Sequence, residues 1–203
     1  MKKSSILILI IICLVGCKKG SNETTITGEI KGLGTDTLYL YGMDELYDRI
    51  DTIYVENDKF SYTTSVDTIT SAYLLLKNRI EYPVFLDKGN KIKIKGDTIN
   101  LNFLTISGNI YNEEFTDFQK ALEDPADPSE KAGEETVDKR TTVEKANTAE
   151  EMAEEFILQH HSSYVSLYLL DKYFVQKETP DFSKIKKLVE VMTGVLQDKP
   201  YIE

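Results

Sequence analysis

Residues 91–95 of this chain read Lys-Ile-Lys-Ile-Lys, and this strict alternation of charged and aliphatic side chains decides the fold class. Successive side chains of a β-strand point to opposite faces of a sheet, so a period of two is typical of a strand with one buried face. Residues 37–41, Thr-Leu-Tyr-Leu-Tyr, repeat the pattern with leucine and tyrosine. These two segments therefore predict half-buried strands.

Further strands are predicted between Thr24 and about Ser107, at residues 50–55, 60–64, 72–76, 82–86 and 101–106. The polar loop Glu56–Lys59 suits a hairpin between the first two of these. Pro83 has no N–H to donate, so its strand should lie at a sheet edge or start there. About eight short strands at regular spacing indicate an antiparallel β-sandwich or an open barrel.

The composition changes at Asn112, because the residues from there to Glu155 are mostly Glu, Asp, Lys, Ala and Thr. The run 124–128, Asp-Pro-Ala-Asp-Pro, should break the helix that begins around Glu113. Residues 129–148 contain too few large apolar side chains to fold alone. They are expected to form either a solvated helix or a loose loop.

Two stronger helices follow. Ser162 or Ser163 can cap a helix through Phe174, and after Pro180 either Asp181 or Ser183 can cap the next. That last helix carries one apolar stripe, formed by Ile185, Leu188, Val189, Met192, Val195 and Leu196. We expect the stripe to pack on the sheet or on the neighbouring helix, and a docking face for a further domain is the alternative. The fold class is therefore mainly β with α, ending in a helical segment.

The first seventeen residues have the layout of an export signal. Lys2 and Lys3 precede an apolar run from Ile6 to Val15, which is well under the ~20 residues that span a bilayer. The run ends in Leu-Val-Gly-Cys at 14–17, which resembles the bacterial lipoprotein lipobox. The resemblance implies a signal peptide at 1–16, lipidation of Cys17 and a tether at 17–23. The mature protein would be an outer membrane lipoprotein facing the periplasm or the cell surface.

The chain is acidic, with 24 Lys and Arg against 34 Asp and Glu and a net charge of −10. Loss of residues 1–16 removes two lysines and makes the net charge −12. An acidic body lacks the basic footprint of a nucleic-acid binder. We expect anionic lipid head groups to repel it, so that the acyl chains alone hold it at the membrane.

The sequence predicts no enzymatic activity, cofactor or metal. Its two cysteines are Cys13, which would leave with the signal, and Cys17, so no disulfide or CxxC pair is expected. It contains no phosphate-binding loop, GxSxG elbow or HExxH helix, and no carboxylate pair in an apolar setting. His160 and His161 are adjacent and would diverge by about 100° on a helix, which favours a solvated or capping role over metal ligation.

Tyrosine is the most frequent aromatic residue of the chain, which has twelve tyrosines and no tryptophan. Five of them fall in or beside predicted strands: Tyr39, Tyr41, Tyr47, Tyr54 and Tyr62. Tyrosine offers a flat face and a hydroxyl, which suits carbohydrate or peptide binding. It is also common in ordinary strands, and we favour that interpretation here.

The tripeptide Asp-Thr-aliphatic occurs four times and resembles the acceptor motif for O-glycosylation of exported proteins in Bacteroidota. The candidate acceptors are Thr37, Thr52, Thr68 and Thr98. The structural alternative is that Asp followed by Thr is a natural way to leave a turn and enter a strand.

The order of short motifs along the chain resembles the all-β domain of unknown function at the N-terminus of many Bacteroidota lipoproteins. The motifs are the lipobox and residues 26–30, 37–40, 50–55, 59–62, 82–89, 106–109, 112–113, 156–163 and 168–170. In that family a helical segment and then a thioredoxin-like (AhpC/TSA-type) domain with a CxxC pair normally follow. No residue here matches those cysteines.

The resemblance implies an all-β domain at 24–110 and an acidic helical segment at 111–203 that normally connects to the thioredoxin-like domain. The expected function is a lipid-anchored cell-envelope protein acting as a non-catalytic binding or interaction module, with acyl chains holding it at the membrane. The alternative is the N-terminal accessory part of a thiol–disulfide oxidoreductase, partnered by a thioredoxin-like envelope protein. A passive envelope lipoprotein without a specific ligand is a third reading.

Overall fold

The computed structural model describes residues 22–43, 45–123, 142–193 and 196 of the protein, and the side chains of 45, 78 and 142–147 are not described. The expected signal peptide, Cys13, Cys17 and residues 129–141 lie outside this part of the chain. None of the described helices is long and apolar enough to cross a membrane.

The described part contains eight strands in two four-stranded sheets. The strands are β1 (Glu23–Lys31), β2 (Asp36–Gly42), β3 (Ile50–Val55), β4 (Lys59–Ser65), β5 (Thr70–Leu75), β6 (Glu81–Leu86), β7 (Lys91–Asp97) and β8 (Thr105–Ser107). Sheet one has the order β4-β1-β7-β8, and sheet two has the order β3-β2-β5-β6. The sheets face each other as a sandwich and are not closed into a barrel, which selects the first of the two expected architectures.

One strand pair differs from the antiparallel expectation. β7 runs parallel to β1, with Ile26 opposite Ile92 and Gly28 opposite Ile94. β7 reaches β1 from β6 of the other sheet, and a strand that crosses between sheets is not bound to the reversal that a hairpin imposes. All other named pairs are antiparallel.

The two inner faces form an aliphatic core. Ile92 and Ile94 are at most 1% exposed while the three lysines around them are exposed, which confirms the strand at 91–95. The neighbouring strand β1 contributes Ile26 and Ile30, and sheet two contributes Leu38, Leu40, Ile53, Val55 and Leu74. The predicted alternation therefore separates a dry interior from two outer faces of different chemistry.

The expected hairpin at 56–59 is limited to its turn. Glu56 and Lys59 exchange both backbone hydrogen bonds, at 2.9 and 3.1 Å. Asn57 and Asp58 adopt φ of 51° and 69°, the left-handed region that a two-residue turn requires. β3 then pairs with β2 and β4 pairs with β1, so the hairpin expectation is wrong beyond the turn. The inward faces of both strands are apolar, and separating them lets each face bury against the other sheet.

Two expectations about individual strands have different outcomes. β6 is an edge strand, which confirms the placement of Pro83. The strand expected at 101–106 is confined to Thr105–Ser107, because residues 98–102 form turns stabilised by Asp97.

The helices are α1 (Ile110–Glu123), α2 (Thr142–Gln159), α3 (Tyr164–Leu170) and α4 (Phe182–Val191). α1 ends before the Asp-Pro run, and α2 shows that residues 142–148 are helical. Ser163 caps α3 by accepting from Val165 N–H at 3.2 Å, and Asp181 caps α4 by accepting from Lys184 N–H at 3.1 Å. A π turn at Asp171–Val175 continues α3 through Phe174.

α1 lies along the open side of the sandwich and joins its two edges. The Asn112 amide accepts from Phe85 N–H at 3.0 Å and donates to Phe85 C=O at 2.7 Å. The Thr116 hydroxyl makes the same pair of bonds to Ile106, both at 2.9 Å. One helix therefore satisfies backbone groups at one residue of each edge strand, Phe85 of β6 and Ile106 of β8.

The apolar stripe of the last helix packs inside the molecule. Leu188 and Met192 are at most 2% exposed, and Ile185 and Val189 are partly buried against the core. The helix ends at Val191, so Met192 reaches the core from beyond it. Leu196 is also buried, and Val195 lies outside the described residues. Strands and helices share one hydrophobic core, which supports the packing interpretation over a docking face.

Candidate binding surfaces

The first candidate surface is the outer face of sheet two at β2 and β3, formed by Tyr39, Tyr41, Ile50 and Tyr54 and called here the tyrosine face. Alternation along β2 buries its two leucines and turns its tyrosines to the outside. Tyr39 is 41% exposed, and Ile50 and Tyr54 are each 73% exposed. Monomeric proteins keep adjacent large apolar side chains exposed mainly where something binds.

The strand register places a hydroxyl beside each exposed ring. Tyr39 lies opposite Thr52, and Tyr54 lies opposite Thr37. Directly opposed residues in an antiparallel pair have Cβ atoms about 5 Å apart. The tyrosine face thus alternates flat aromatic surface with hydroxyl groups that can donate and accept hydrogen bonds.

The other half of this sheet is covered. β6 is buried along nearly its whole length, and Phe85 packs against Tyr111 and Phe115 of α1. Tyr73 of β5, whose ring centroid lies 5.8 Å from that of Tyr41, is partly buried against the core. The tyrosine face is therefore the half of sheet two that the helices leave open.

Two carboxylates flank the tyrosine face and are held in place. Tyr41 donates to Glu81 at 2.5 Å, and burial followed by this bond raises the pKa of Tyr41 above its ordinary value. Asp36 accepts from Thr37 N–H at 2.8 Å and lies 3.2 Å from the Lys77 ammonium. The bond from Thr37 is the main reason that the pKa of Asp36 is lowered, and Lys77 adds to it.

The remaining strand tyrosines do not join this surface. Tyr47 is 4% exposed and donates to Asp51, with Thr64 at 3.1 Å and the Arg49 guanidinium 4.7 Å from its ring. Burial, and then the bond to Asp51, raise the pKa of Tyr47 to about 12. Tyr62 is half-buried on the inward side of β4. These two residues pack into the core at one end of the β domain, so their role is structural.

The second candidate surface is the outer face of sheet one, called here the lysine face. Five exposed lysines lie on it: Lys31, Lys59, Lys91, Lys93 and Lys95. Glu29 lies between Lys59 and Lys95 in the strand register, and hydroxyl residues fill most of the other outward positions. Among the described residues, none of these five lysines takes part in an ion pair.

An open depression of about 520 Å³ lies at one end of the lysine face. Its lining includes Glu29, Lys31, Lys95, Asp97 and Asn100. The depression carries charges of both signs and has no enclosing wall. It is therefore a continuation of the lysine face and not a separate ligand pocket.

The four candidate glycosylation sites are not equally accessible. Thr52 and Thr68 are exposed, whereas Thr37 and Thr98 are half-buried. Thr98 Oγ1 is packed so closely on Gly32 that a Cβ there would lie 2.3 Å from it. Thr52 and Thr68 therefore offer the most accessible hydroxyls of the set.

The aspartate of each Asp-Thr pair has a structural partner. The partners are Thr37 N–H for Asp36, the Tyr47 hydroxyl for Asp51, the Asn22 amide for Asp67 and Ile99 N–H for Asp97. Only Asp36 and Thr37 open a strand directly after a turn, since Asp97 ends β7 and Asp67 lies between strands. The four tripeptides therefore serve four different local structures.

The two histidines lie at the end of α2. The ring of His160 stacks on Phe156 with centroids 4.0 Å apart, and its Nδ1 lies 3.0 Å from the Phe156 carbonyl. His161 is exposed. Within the described ranges, no group of three or more His, Cys, Asp or Glu residues is placed to hold a metal ion.

The lysine face is the feature that sequence reasoning missed. The alternation at 91–95 shows three lysines on one side of a strand. Only the strand pairing shows that Lys31 and Lys59 lie on the same face. The parallel β1–β7 pairing, which no short sequence signal indicates, brings these side chains together.

Comparison with known proteins gives a family match over the β domain. The family model described as Domain of unknown function (DUF4369) matches residues 24–115, which span the eight strands and the start of α1. This match confirms the resemblance to a domain of unknown function, and it includes no thioredoxin-like domain. Searches of curated proteins and of solved structures find no significant match.

Proposed function

We propose that this chain, whose residues 24–115 match a domain family of unknown function, is a lipid-anchored cell-envelope protein that binds a neutral glycan on its tyrosine face without catalysis. The observation that carries the proposal is the exposure of Tyr39 and Tyr54, at 41% and 73%, on the open outer face of sheet two. The anchor is proposed from the lipobox resemblance at Cys17.

The chemistry of the tyrosine face favours a sugar over a protein partner. A stable protein interface buries about 800 Å² on each side around an apolar centre. Here Ile50 is the one aliphatic side chain of the face as defined, and threonine hydroxyls lie opposite both exposed rings. Sugar rings have a flat C–H side that packs on an aromatic ring and hydroxyls at the rim that hydrogen-bond.

The charge of the surroundings favours a neutral sugar. Asp36 and Glu81 lie at the borders of the tyrosine face, and each is already engaged, by Lys77 and by Tyr41. A polyanion would be repelled by the negative charge of Glu81, because its partner Tyr41 is neutral. A neutral chain would meet acceptors suited to its hydroxyl groups.

The binding test uses full-length mature protein and a panel of neutral oligosaccharides: maltoheptaose, xylohexaose and mannohexaose. We expect at least one to bind, and the Tyr39→Ala/Tyr54→Ala variant to bind at least tenfold more weakly, a loss of about 1.4 kcal/mol or more. Phe182→Ala is the matched control, because Phe182 is 76% exposed on α4, away from this surface. Absence of binding, or equal binding by the double variant, would overturn the glycan assignment.

The anchor and the glycosylation sites are tested by the intact mass of the native protein from host membranes. We expect the mass of a chain starting at Cys17 plus acyl chains, with sugar increments traced to Thr52 or Thr68. A sugar on Thr52 would lie beside Tyr39, so the binding test uses material without such an increment. A mass larger by a whole domain would instead favour the accessory role in a thiol–disulfide oxidoreductase.

A further inference from the structure

The charge distribution of this protein is uneven in a way that its net charge conceals. The chain carries ten more acidic than basic residues, yet the lysine face gathers five exposed lysines on one side of sheet one. Several lysines elsewhere in the described chain are paired with carboxylates, as in Lys77–Asp36, Lys177–Glu150 and Lys184–Glu154. The lysines of this face are held in no such pair in the described residues.

The carboxylates on the lysine face offset it only in part. Glu29 lies between β4 and β7, Asp97 ends β7, and Glu23 begins β1. The row Lys91, Lys93 and Lys95 borders β8, whose outward residues Thr105 and Ser107 are neutral. Successive lysines of this row are about 6.6 Å apart along the strand. The result is a hydroxyl-rich outer face that carries a cationic row.

We propose that the lysine face lies against the anionic head groups of the membrane that holds the acyl chains. This inference rests on the lipid anchor of the proposed function and gives the anchored domain an orientation. It also revises the expectation that anionic lipids repel the acidic chain. The net charge of the protein determines the long-range repulsion, whereas contact with the membrane is made by the lysine face alone.

The position of the anchor makes this contact reachable. Cys17 is six residues before Glu23, where β1 starts, so even a fully extended tether spans only about 20 Å. The start of β1 is beside the start of β7, since Thr25 N–H donates to Asn90 C=O at 3.0 Å and Thr25 is opposite Lys91. The cationic row therefore begins at the end of the domain that the tether holds near the lipid.

A planar partner suits this surface better than an acidic peptide. Lysines on three adjacent strands, β4, β1 and β7, make a two-dimensional array, whereas an extended peptide would follow a single row. Each lysine at an anionic membrane surface contributes about 1 kcal/mol, equivalent to about fivefold in an equilibrium. Three lysines acting together would favour the face-down orientation by about a hundredfold.

The test uses the purified lipidated protein, its acyl chains verified by mass, in vesicles of phosphatidylcholine with or without about one third phosphatidylglycerol. Amines are labelled briefly, and each lysine is quantified by peptide mass spectrometry. We expect labelling of Lys91, Lys93 and Lys95 to slow at least fivefold in the anionic vesicles and to recover in 0.5 M salt. The exposed Lys172 and Lys187, on the helical side, serve as internal controls and should not change.

A variant pair separates orientation from general charge. A fluorophore is attached to the cysteine of Thr105→Cys, next to the lysine row. Its quenching by lipids that carry a quencher on the head group is measured in the anionic vesicles. Lys91→Gln/Lys93→Gln/Lys95→Gln should abolish quenching, while the equally charged control Lys172→Gln/Lys186→Gln/Lys187→Gln should retain it. Equal labelling in both vesicles, or equal quenching of both triple variants, would overturn the orientation.

The outcomes distinguish this inference from the proposal on which it rests. A chain without acyl groups would refute the anchor. A lipidated chain whose lysine face stays open to label would refute only the orientation. If added polyglutamate slowed labelling of these lysines and anionic vesicles did not, the membrane contact would be overturned and the lysine face would be assigned to an acidic protein partner.

Discussion

Asn112 and Thr116 lie one turn apart on α1, and each holds the backbone of an edge strand from a different sheet. Asn112 satisfies both the N–H and the C=O of Phe85 on β6, and Thr116 does the same for Ile106 on β8. Both side chains are at most 2% exposed. The helix therefore acts as a bracket across the open side of the sandwich and ties the helical part to the β domain.

Removing either bracket residue should destabilise the whole fold. Asn112→Ala leaves the buried Phe85 N–H without its side-chain partner and leaves Phe85 C=O with only the Asn109 amide, so we expect the free energy of unfolding to fall by about 1–3 kcal/mol. Thr116→Val keeps the shape and loses the hydroxyl, with an expected loss of about 1–3 kcal/mol. Urea unfolding followed by circular dichroism measures both.

Asp117→Ala is the control for the bracket, because Asp117 directly follows Thr116 on α1 and its side chain is 72% exposed. It should change stability by no more than about 0.5 kcal/mol. If Asn112→Ala behaved like this control, the bracket would contribute nothing to stability.

The ring of Phe60 occupies the space above Gly28, its partner in the β1–β4 pair. A Cβ on Gly28 would lie 2.1 Å from Phe60 Cζ, so Gly28→Ala must displace the ring. We expect a loss of about 1–3 kcal/mol by thermal or urea unfolding. The exposed neighbour Ser61→Ala should have little effect. Combining Gly28→Ala with Phe60→Leu should cost less than the sum of the two single changes, and strict additivity would argue against the clash.

We expect alkaline pH to lower the free energy of unfolding through the titration of Tyr47. Its pKa is about 12 in the folded protein against an ordinary 10.0, because burial and Asp51 disfavour the phenolate. The folded state thus retains the proton more strongly, so this stabilisation is complete below pH 10 and is lost as pH rises toward 12. In Tyr47→Phe, the slope of unfolding free energy against pH in this window should be shallower by up to about 1.4 kcal/mol per pH unit. Identical slopes would assign the alkaline sensitivity to other buried tyrosines.

Glu150 joins α2 to the segment that leads into α4. It lies 2.5 Å from the Lys177 ammonium and 3.5 Å from that of Lys184, and the bond from Lys177 is the main reason that its pKa is lowered. A lowered pKa means that the stabilisation is present above the ordinary value of 4.5 and is lost as pH falls below it. These groups are partly exposed, so Glu150→Gln should cost no more than about 1 kcal/mol at pH 7.

The contribution of Glu150 should shrink in acid and in salt. At pH 3 or in 1 M NaCl, the wild type and Glu150→Gln should approach the same stability in urea. Glu151→Gln, an exposed neighbour on the same helix, is the control and should match the wild type throughout. A difference that persisted at pH 3 would point to lost packing and not to lost charge.

Local patterns predicted the elements that depend on local physics. The alternation at 91–95 and 37–41 identified β7 and β2. The helix caps were predicted as Ser162 or Ser163 and as Asp181 or Ser183, because a side-chain oxygen must satisfy the first helical N–H groups. Pro83 was correctly placed on an edge strand for the same kind of reason. The hairpin at 56–59 was predicted only as far as its turn, because turn chemistry is local while the choice of sheet is not.

The surfaces depend on pairings between distant residues. Thr52 is opposite Tyr39, and Lys31 shares a face with Lys59 and Lys95, because β2 pairs with β3 and β1 pairs with both β4 and β7. The local sequence of these strands does not indicate which strand each one pairs with, and the parallel β1–β7 pair joins segments more than sixty residues apart.

Composition and periodicity by themselves determined the strand-rich β domain, its inward faces and the helix starts, because hydrophobic burial and backbone hydrogen bonding act on neighbouring residues. Only the tertiary structure decided which sheet each strand joins, that α1 brackets both edges through Asn112 and Thr116, and that rings gather on one outer face and lysines on the other. Those outcomes are set by long-range packing, in which each strand takes the partner that buries the most apolar surface while leaving no backbone group unpaired.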